Sequence, residues 1–267
     1  MSKSKDLTKV NPRSIVAKPD YLGADVEGVE ELSQYITPPR VKIVQKSADS
    51  SLLEEFGVGD VIVTPLNTLI IEQERTAKGQ PTGEAPPLIF TPLFFFVEFC
   101  AWNPYELKGT VSAIRERSLD PQSDIARKAR NENTRFEPYP DKPELQIRYV
   151  EHLNFLVWIH DEKTEDPAIL SFSRSSHGDG RQLSTFIKMR KASIYSCVFE
   201  GWLDHRDNDQ GDWWAFTIEN PKTVDPWVTD VQNIRFKAYH EEFKLLHQGG
   251  KIRADYIEEN DSTQTEF

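Results

Sequence analysis

The chain has 267 residues, 38% of them hydrophobic and 11% aromatic, enough apolar surface to fill one large domain or two small ones. Its 43 Asp and Glu outweigh its 32 Lys and Arg, and the formal charge of -11 excludes a polybasic wrapper while leaving room for local basic patches. Two cysteines cannot build a disulfide framework or a four-cysteine zinc site, and no segment approaches the ~20 apolar residues of a membrane span, so a reducing cytoplasmic setting is expected.

In chain order, Ser2 to Lys18 carries five basic residues and Asp6 with little that could pack, and residues 1–35 are expected to form a flexible arm without a secretory signal. The folded body is expected over 36–250. Val41-Lys-Ile-Val-Gln45 alternates as a strand behind the prolines at 38 and 39. Val61 to Thr64 and Thr68 to Glu72 read as a hairpin around Pro65-Leu-Asn67. Leu88 to Phe99, with five phenylalanines, predicts a strand bent at Pro92. From 115 to 143 the pattern dissolves into charged and turn residues, which predicts a long loop insertion. Gln146 to Asp161 resumes as a strand that is apolar on both faces over Leu153 to Ile159, and therefore central. Ala168 to Arg174 follows as a strand, and Arg181 to Lys191 as a helix. Ile194 to Leu203 and Asp212 to Glu219 predict a hairpin with Asp204 to Gly211 as its loop. Trp227 to His247 predicts a helix from the spacing of Ile234, Ala238, Leu245 and Leu246. The order predicts a mainly β protein, an OB-like antiparallel barrel with an inserted helix and a C-terminal helix.

Enzyme signatures do not emerge. The chain has no phosphate loop, no Gly-x-Gly-x-x-Gly and no Gly-x-Ser-x-Gly, and its six histidines show no zinc spacing and read mostly as surface residues. Asp204, Asp207, Asp209 and Asp212 lack the order of a calcium loop and read as a solvated turn. No catalytic residue, cofactor or metal is expected.

Three features point towards single-stranded nucleic acid. Pairing Phe199 with Phe216 in the late hairpin would set Trp202 opposite Trp213 on the face away from the core, beside Glu200, Thr217 and Glu219. Those rings are either a stacking platform for bases or second-core residues beneath a helix or loop. Arg174, Arg181, Lys188, Arg190 and Lys191 oppose Asp179 alone, a local charge of +4, and Arg181, Ser184, Lys188 and Lys191 share one helical stripe. The same charges are also what an ordinary solvated helix face carries. A second cluster, Arg115, Arg117, Arg127, Lys128, Arg130 and Arg135, lies in the expected loop. Finally, residues 251–267 read as an acidic, foldless tail, and from Ala254 onwards Asp255, Glu258, Glu259, Asp261 and Glu266 precede Phe267 with no Lys or Arg.

That tail resembles those of bacterial and tailed-phage replication single-stranded-DNA-binding proteins, although Ser262-Thr-Gln-Thr265 dilutes the acid and the bacterial Asp-Asp-Ile-Pro-Phe ending is absent. The body resembles the phage group at Pro39-Arg-Val-Lys-Ile-Val-Gln45, at Gly59-Asp-Val with Asn67-Thr-Leu, and from Ile169 through Ser176 to Lys191. The resemblance implies sequence-independent binding of single-stranded DNA in phage replication or recombination, in an infected host's cytoplasm. Trp202 and Trp213 would stack bases, and Arg174, Arg181, Lys188, Arg190 and Lys191 would track phosphates. Asp255, Glu258, Glu259, Asp261, Glu266 and Phe267 would regulate access and recruit a polymerase, helicase or primase. The alternative is a β-rich virion or assembly protein that uses its aromatic face for protein contacts.

Overall fold

The computed structural model describes residues 38–77, 81–209, 211–252 and 254, and the expected arm lies outside them. The protein is mainly β. Ten strands form one sheet in the order β10-β9-β4-β7-β8-β1-β2-β3, with β5 beside β4 and β6 beside β7. They are β1 Arg40–Ile43, β2 Val61–Thr64, β3 Thr68–Ile71, β4 Leu88–Trp102, β5 Ile114–Ser118, β6 Phe136–Tyr139, β7 Lys142–Ile159, β8 Ala168–Phe172, β9 Phe199–Asn208 and β10 Gly211–Glu219. The helices are α1 Ser50–Glu55, α2 Asp124–Arg130, α3 His177–Arg190 and α4 Asp230–Gln248. The sheet is mixed, because β1 meets β8 in parallel. Beyond β1, the Gln45 side chain bonds both backbone groups of Trp214 on β10, at 2.8 and 2.9 Å, as a neighbouring strand would.

Strand β7 lies between β4 and β8, and its period of two divides the core. Leu153, Phe155 and Val157 join Phe90, Phe172 and Leu183 on the side of α3, while Val150 and Leu156 join Phe96 and Phe236 on the side of α4. At Pro92 the β4–β7 register shifts, as a residue without an N–H requires. Gly180 lets α3 seat against β8, since a Cβ there would lie 2.7 Å from that of Phe172. Helix α3 begins at His177, one turn before the helix expected from Arg181. Cys100 and Cys197 are buried thiols, and burial pushes both up in pKa.

Four expectations are corrected. The segment from 115 to 143 is ordered as β5, α2 and β6. Ser123 caps α2 by accepting from the Ala126 N–H at 3.2 Å, and Ile125, Ala126 and Ala129 are buried between its charges. The late hairpin keeps its core face but slides by four residues. Leu203, not Phe199, opposes Phe216; Trp202 opposes Thr217 and Trp213 opposes Arg206, because Asp204 to Asn208 continues the strand. On α4 the buried face is Phe236 with Tyr239, Phe243 and Leu246, whereas Ile234 and Leu245 face solvent. The histidines are not mostly surface residues: only His205 is exposed, His152 is buried and the other four are half-buried.

After α4 the chain stays packed further than the expected start of the tail. Ile252 and Ala254 are buried, and Arg117 donates to the Ala254 carbonyl at 2.6 Å. The acidic residues Asp255, Glu258, Glu259, Asp261 and Glu266, with Phe267, lie outside the described residues.

Candidate nucleic-acid interface

The expected site residues separate in space. Arg174 and Arg181 line one groove. Arg190 does not join them: its guanidinium donates to the Pro226 carbonyl at 2.7 Å and to Asn220 Oδ1 at 2.9 Å, and it lies over Phe199, 4.3 Å from the ring centroid. Those contacts tie α3 to the loop before α4, which is a packing role. Lys188 and Lys191 are exposed further along the same helix. Trp202 is half-buried with its Nε1 donating to Glu200 at 3.1 Å, and the four residues between Thr217 and Trp213 place the two indoles about 13 Å apart along the ribbon. They do not form the paired platform that the expected register implied.

The groove itself has a volume of about 650 Å³ and runs between α2 and α3. Tyr149, Glu151 and Leu153 of β7 contribute to its lining, and Phe136 of β6 with Arg148 of β7 stands at its edge. Glu151 holds the two helices to the strand: Arg130 of α2 donates to it at 2.9 Å, and the His177 ring of α3 lies 3.0 Å from its other oxygen. The His177 bond, and after it Arg130, lower the pKa of this carboxylate against the opposing effect of burial. Five arginines line the groove, Arg130, Arg135, Arg148, Arg174 and Arg181, against Glu132 and Glu151, which leaves three positive charges in a chain of charge -11.

Arg174 is the centre of this arrangement. It sits in a single 3-10 turn, Arg174–Ser176, whose capping box has the Ser173 N–H donating to Ser176 Oγ at 3.0 Å. Its backbone is left-handed, φ 49°, a conformation that costs a non-glycine residue about 1–2 kcal/mol. Burial, and then the Arg148 charge, push its pKa down. It lies 5.9 Å from the Trp102 ring centroid, and neither Arg174 nor Arg181 makes an ion pair among the described residues. A strained, half-buried cation next to another is the arrangement expected where an anion is to be bound rather than where the fold is to be stabilised.

A second cleft, of about 210 Å³, opens between β1 and β10 and shares Arg174 and Ser175 with the groove, and Trp213 lines it. Thus Trp213 and Arg174 border one space although Trp202 and Trp213 do not pair.

Sequence reading recorded Arg130 and Arg135 only as members of a loop cluster and assigned no role to Arg148, Phe136 or His177. The structure divides that cluster. Arg117 pairs with Glu98, Arg127 with Asp124 and Lys128 with Glu137, while Arg130, paired with Glu151, and Arg135, 4.0 Å from Glu132, line the groove. Phe136 is half-buried with the Arg148 guanidinium 5.2 Å from its centroid, and it is more exposed than Tyr149, the other Phe or Tyr ring among the described residues that line the groove. On the hairpin strands, Asp212 of β10 binds Lys46 and His205, and Asp204 of β9 binds Arg206, so these two carboxylates serve ion pairs.

No helix among the described residues is long and apolar enough to cross a membrane. No curated protein and no solved structure matches the chain. A family model does: the one described as Pam3 phage gp34-like protein covers residues 13–243, and the chain therefore belongs to that phage protein family.

Proposed function

We propose that the protein binds single-stranded DNA without regard to sequence, in the arginine groove between α2 and α3, and acts in phage replication or recombination with no active site of its own. The observation that carries this reading is the concentration of five arginines around one groove of a strongly acidic chain. Phosphates would lie on Arg130, Arg135, Arg148, Arg174 and Arg181. Phe136 and, in the adjoining cleft, Trp213 would take base faces, which any sequence can supply. Glu151 and its two partners line the groove, and stacking on rings beside it is open to the unpaired bases of a single strand and not to those of a duplex. The acidic residues from Asp255 to Phe267, tethered beyond Ala254, would compete with DNA for these cations and engage a replication partner.

The test is a fluorescence titration with oligo-dT at several salt concentrations. Quenching of tryptophan with an affinity that falls steeply as salt rises supports the reading, because counterion release scales with the number of phosphates neutralised. No binding at about 50 mM salt would end it.

A further inference from the structure

The outer face of α4 carries a second stripe of apolar side chains that nothing described in the chain covers. Val231, Ile234 and Leu245 are 79, 76 and 69% exposed, while Phe236, on the opposite side of the helix, is 1% exposed. With Ala238 and then Glu241 between them they follow a three-four spacing, and the 15 residues from Val231 to Leu245 span about 21 Å of one side of the helix. Isolated exposed apolar residues are ordinary, but three on one stripe of a 19-residue helix form a surface.

We propose that this stripe is where a second copy of the chain docks, with the two α4 helices packed antiparallel about a two-fold axis near Ala238. The charges beside the stripe select that partner and that direction. Arg235 and Lys237 flank its first half and Glu242 its second, Glu241 lies on the stripe between Ala238 and Leu245, and Asp230 and Lys244 stand towards the ends. A parallel pair would set like charge beside like charge. The antiparallel pair sets Arg235 of each copy against Glu241 and Glu242 of the other, and Asp230 against Lys244, while Val231 and Ile234 meet Leu245. Ala238, the smallest side chain of the stripe, falls at the crossing, where the helices must approach most closely.

The size of the contact sets its strength. A strip about 21 Å long on each copy lies at or below the lower end of specific interfaces, about 1,200 Å² in total. The dimer is accordingly weak and reversible. This inference stands apart from the DNA-binding reading, since α4 and the groove lie on opposite faces of the sheet.

Sedimentation velocity of the full chain tests it. The expected mass rises from 30.7 kDa towards twice that value between about 1 and 100 μM, the range of a micromolar constant. Ile234→Lys combined with Leu245→Lys should hold the chain at the mass of one copy with an unchanged thermal melt. Arg235 also lies 4.2 Å from the Trp158 ring centroid, so Arg235→Glu alone could act through the fold, and charge reversal resolves this. Arg235→Glu should abolish the dimer, Glu241→Arg with Glu242→Arg should abolish it, and all three in one chain should restore it. A single-copy mass across the whole range overturns the proposal, as it would if another segment of the chain covered the stripe. Dimers that survive the lysine substitutions, or a triple variant that fails to recover, also overturn it.

Discussion

Replacing Arg174 with Asn and Arg181 with Ala removes two of the five groove cations and separates binding from folding. Neither guanidinium makes an ion pair among the described residues, and Asn is among the few residues that tolerate the left-handed backbone Arg174 occupies. The variant therefore should melt no lower than the parent, since it relieves the repulsion between Arg174 and Arg148 at the loss of one long cation–π contact. Binding should change in a defined way. If each of the five arginines neutralises one phosphate, log affinity falls with log salt at a slope of about -3.5, which is about 130-fold between 50 and 200 mM. With three contacts left, the slope is about -2.1 and the loss over the same range about 18-fold. The assay is oligo-dT titration at four or more salt concentrations, accompanied by a thermal melt of each protein. A parental slope in a variant that melts normally would refute the placement of DNA in this groove, whatever happens to the affinity at a single salt concentration.

Three further outcomes follow from particular contacts. Phe136→Ala should weaken oligo-dT binding by about 1–3 kcal/mol if a base rests on that ring, with the salt slope kept; an unaltered affinity would leave Phe136 as packing for Arg148. His152 is buried, and burial, with Arg174, Arg40, Arg117 and His177 adding to it, pushes its pKa well below 6.5. The unfolded chain therefore binds a proton below about pH 6.5 that the folded chain refuses, and stability should fall by up to about 1.4 kcal/mol per pH unit as the pH drops through that range. Urea melts at pH 7, 6 and 5 should show His152→Asn with a shallower decline than the parent, and equal declines would contradict this. Deleting residues 258–267 should raise DNA affinity at low salt, with the gain shrinking as screening increases; equal affinities at about 50 mM salt would remove the tail from the groove.

What the sequence determined by itself was everything that depends on period and on chemistry at one residue. The run from Leu153 to Ile159, apolar on both faces, placed β7 at the centre of the sheet, Pro92 marked the irregularity in β4, the apolar settings of Cys100 and Cys197 meant buried thiols, and the parity of Phe199, Phe216 and Ile218 identified the core face of the late hairpin. Register was not legible. A slide of four residues along an antiparallel pair leaves every side chain on its face, so the hydrophobic pattern is blind to it, and polar residues from Asp204 to Asn208 look like a loop whether or not they pair. The facing of α4 was ambiguous for a related reason: the helix has two apolar stripes, and only the position of β4 decides that Phe236 turns inwards and Ile234 outwards. Arg181 and Arg190 belong to one basic run, yet nine residues at 100° each put them about half a turn apart, one in the groove and one on Phe199. The groove itself was beyond any local reading. Arg130 and Arg181 lie 51 residues apart in the chain, and they line one channel because Glu151, on the strand between α2 and α3, bonds to the start of one helix and the end of the other. That convergence is a property of tertiary packing, since the energy of bringing like charges together is met by contacts that no short stretch of sequence contains.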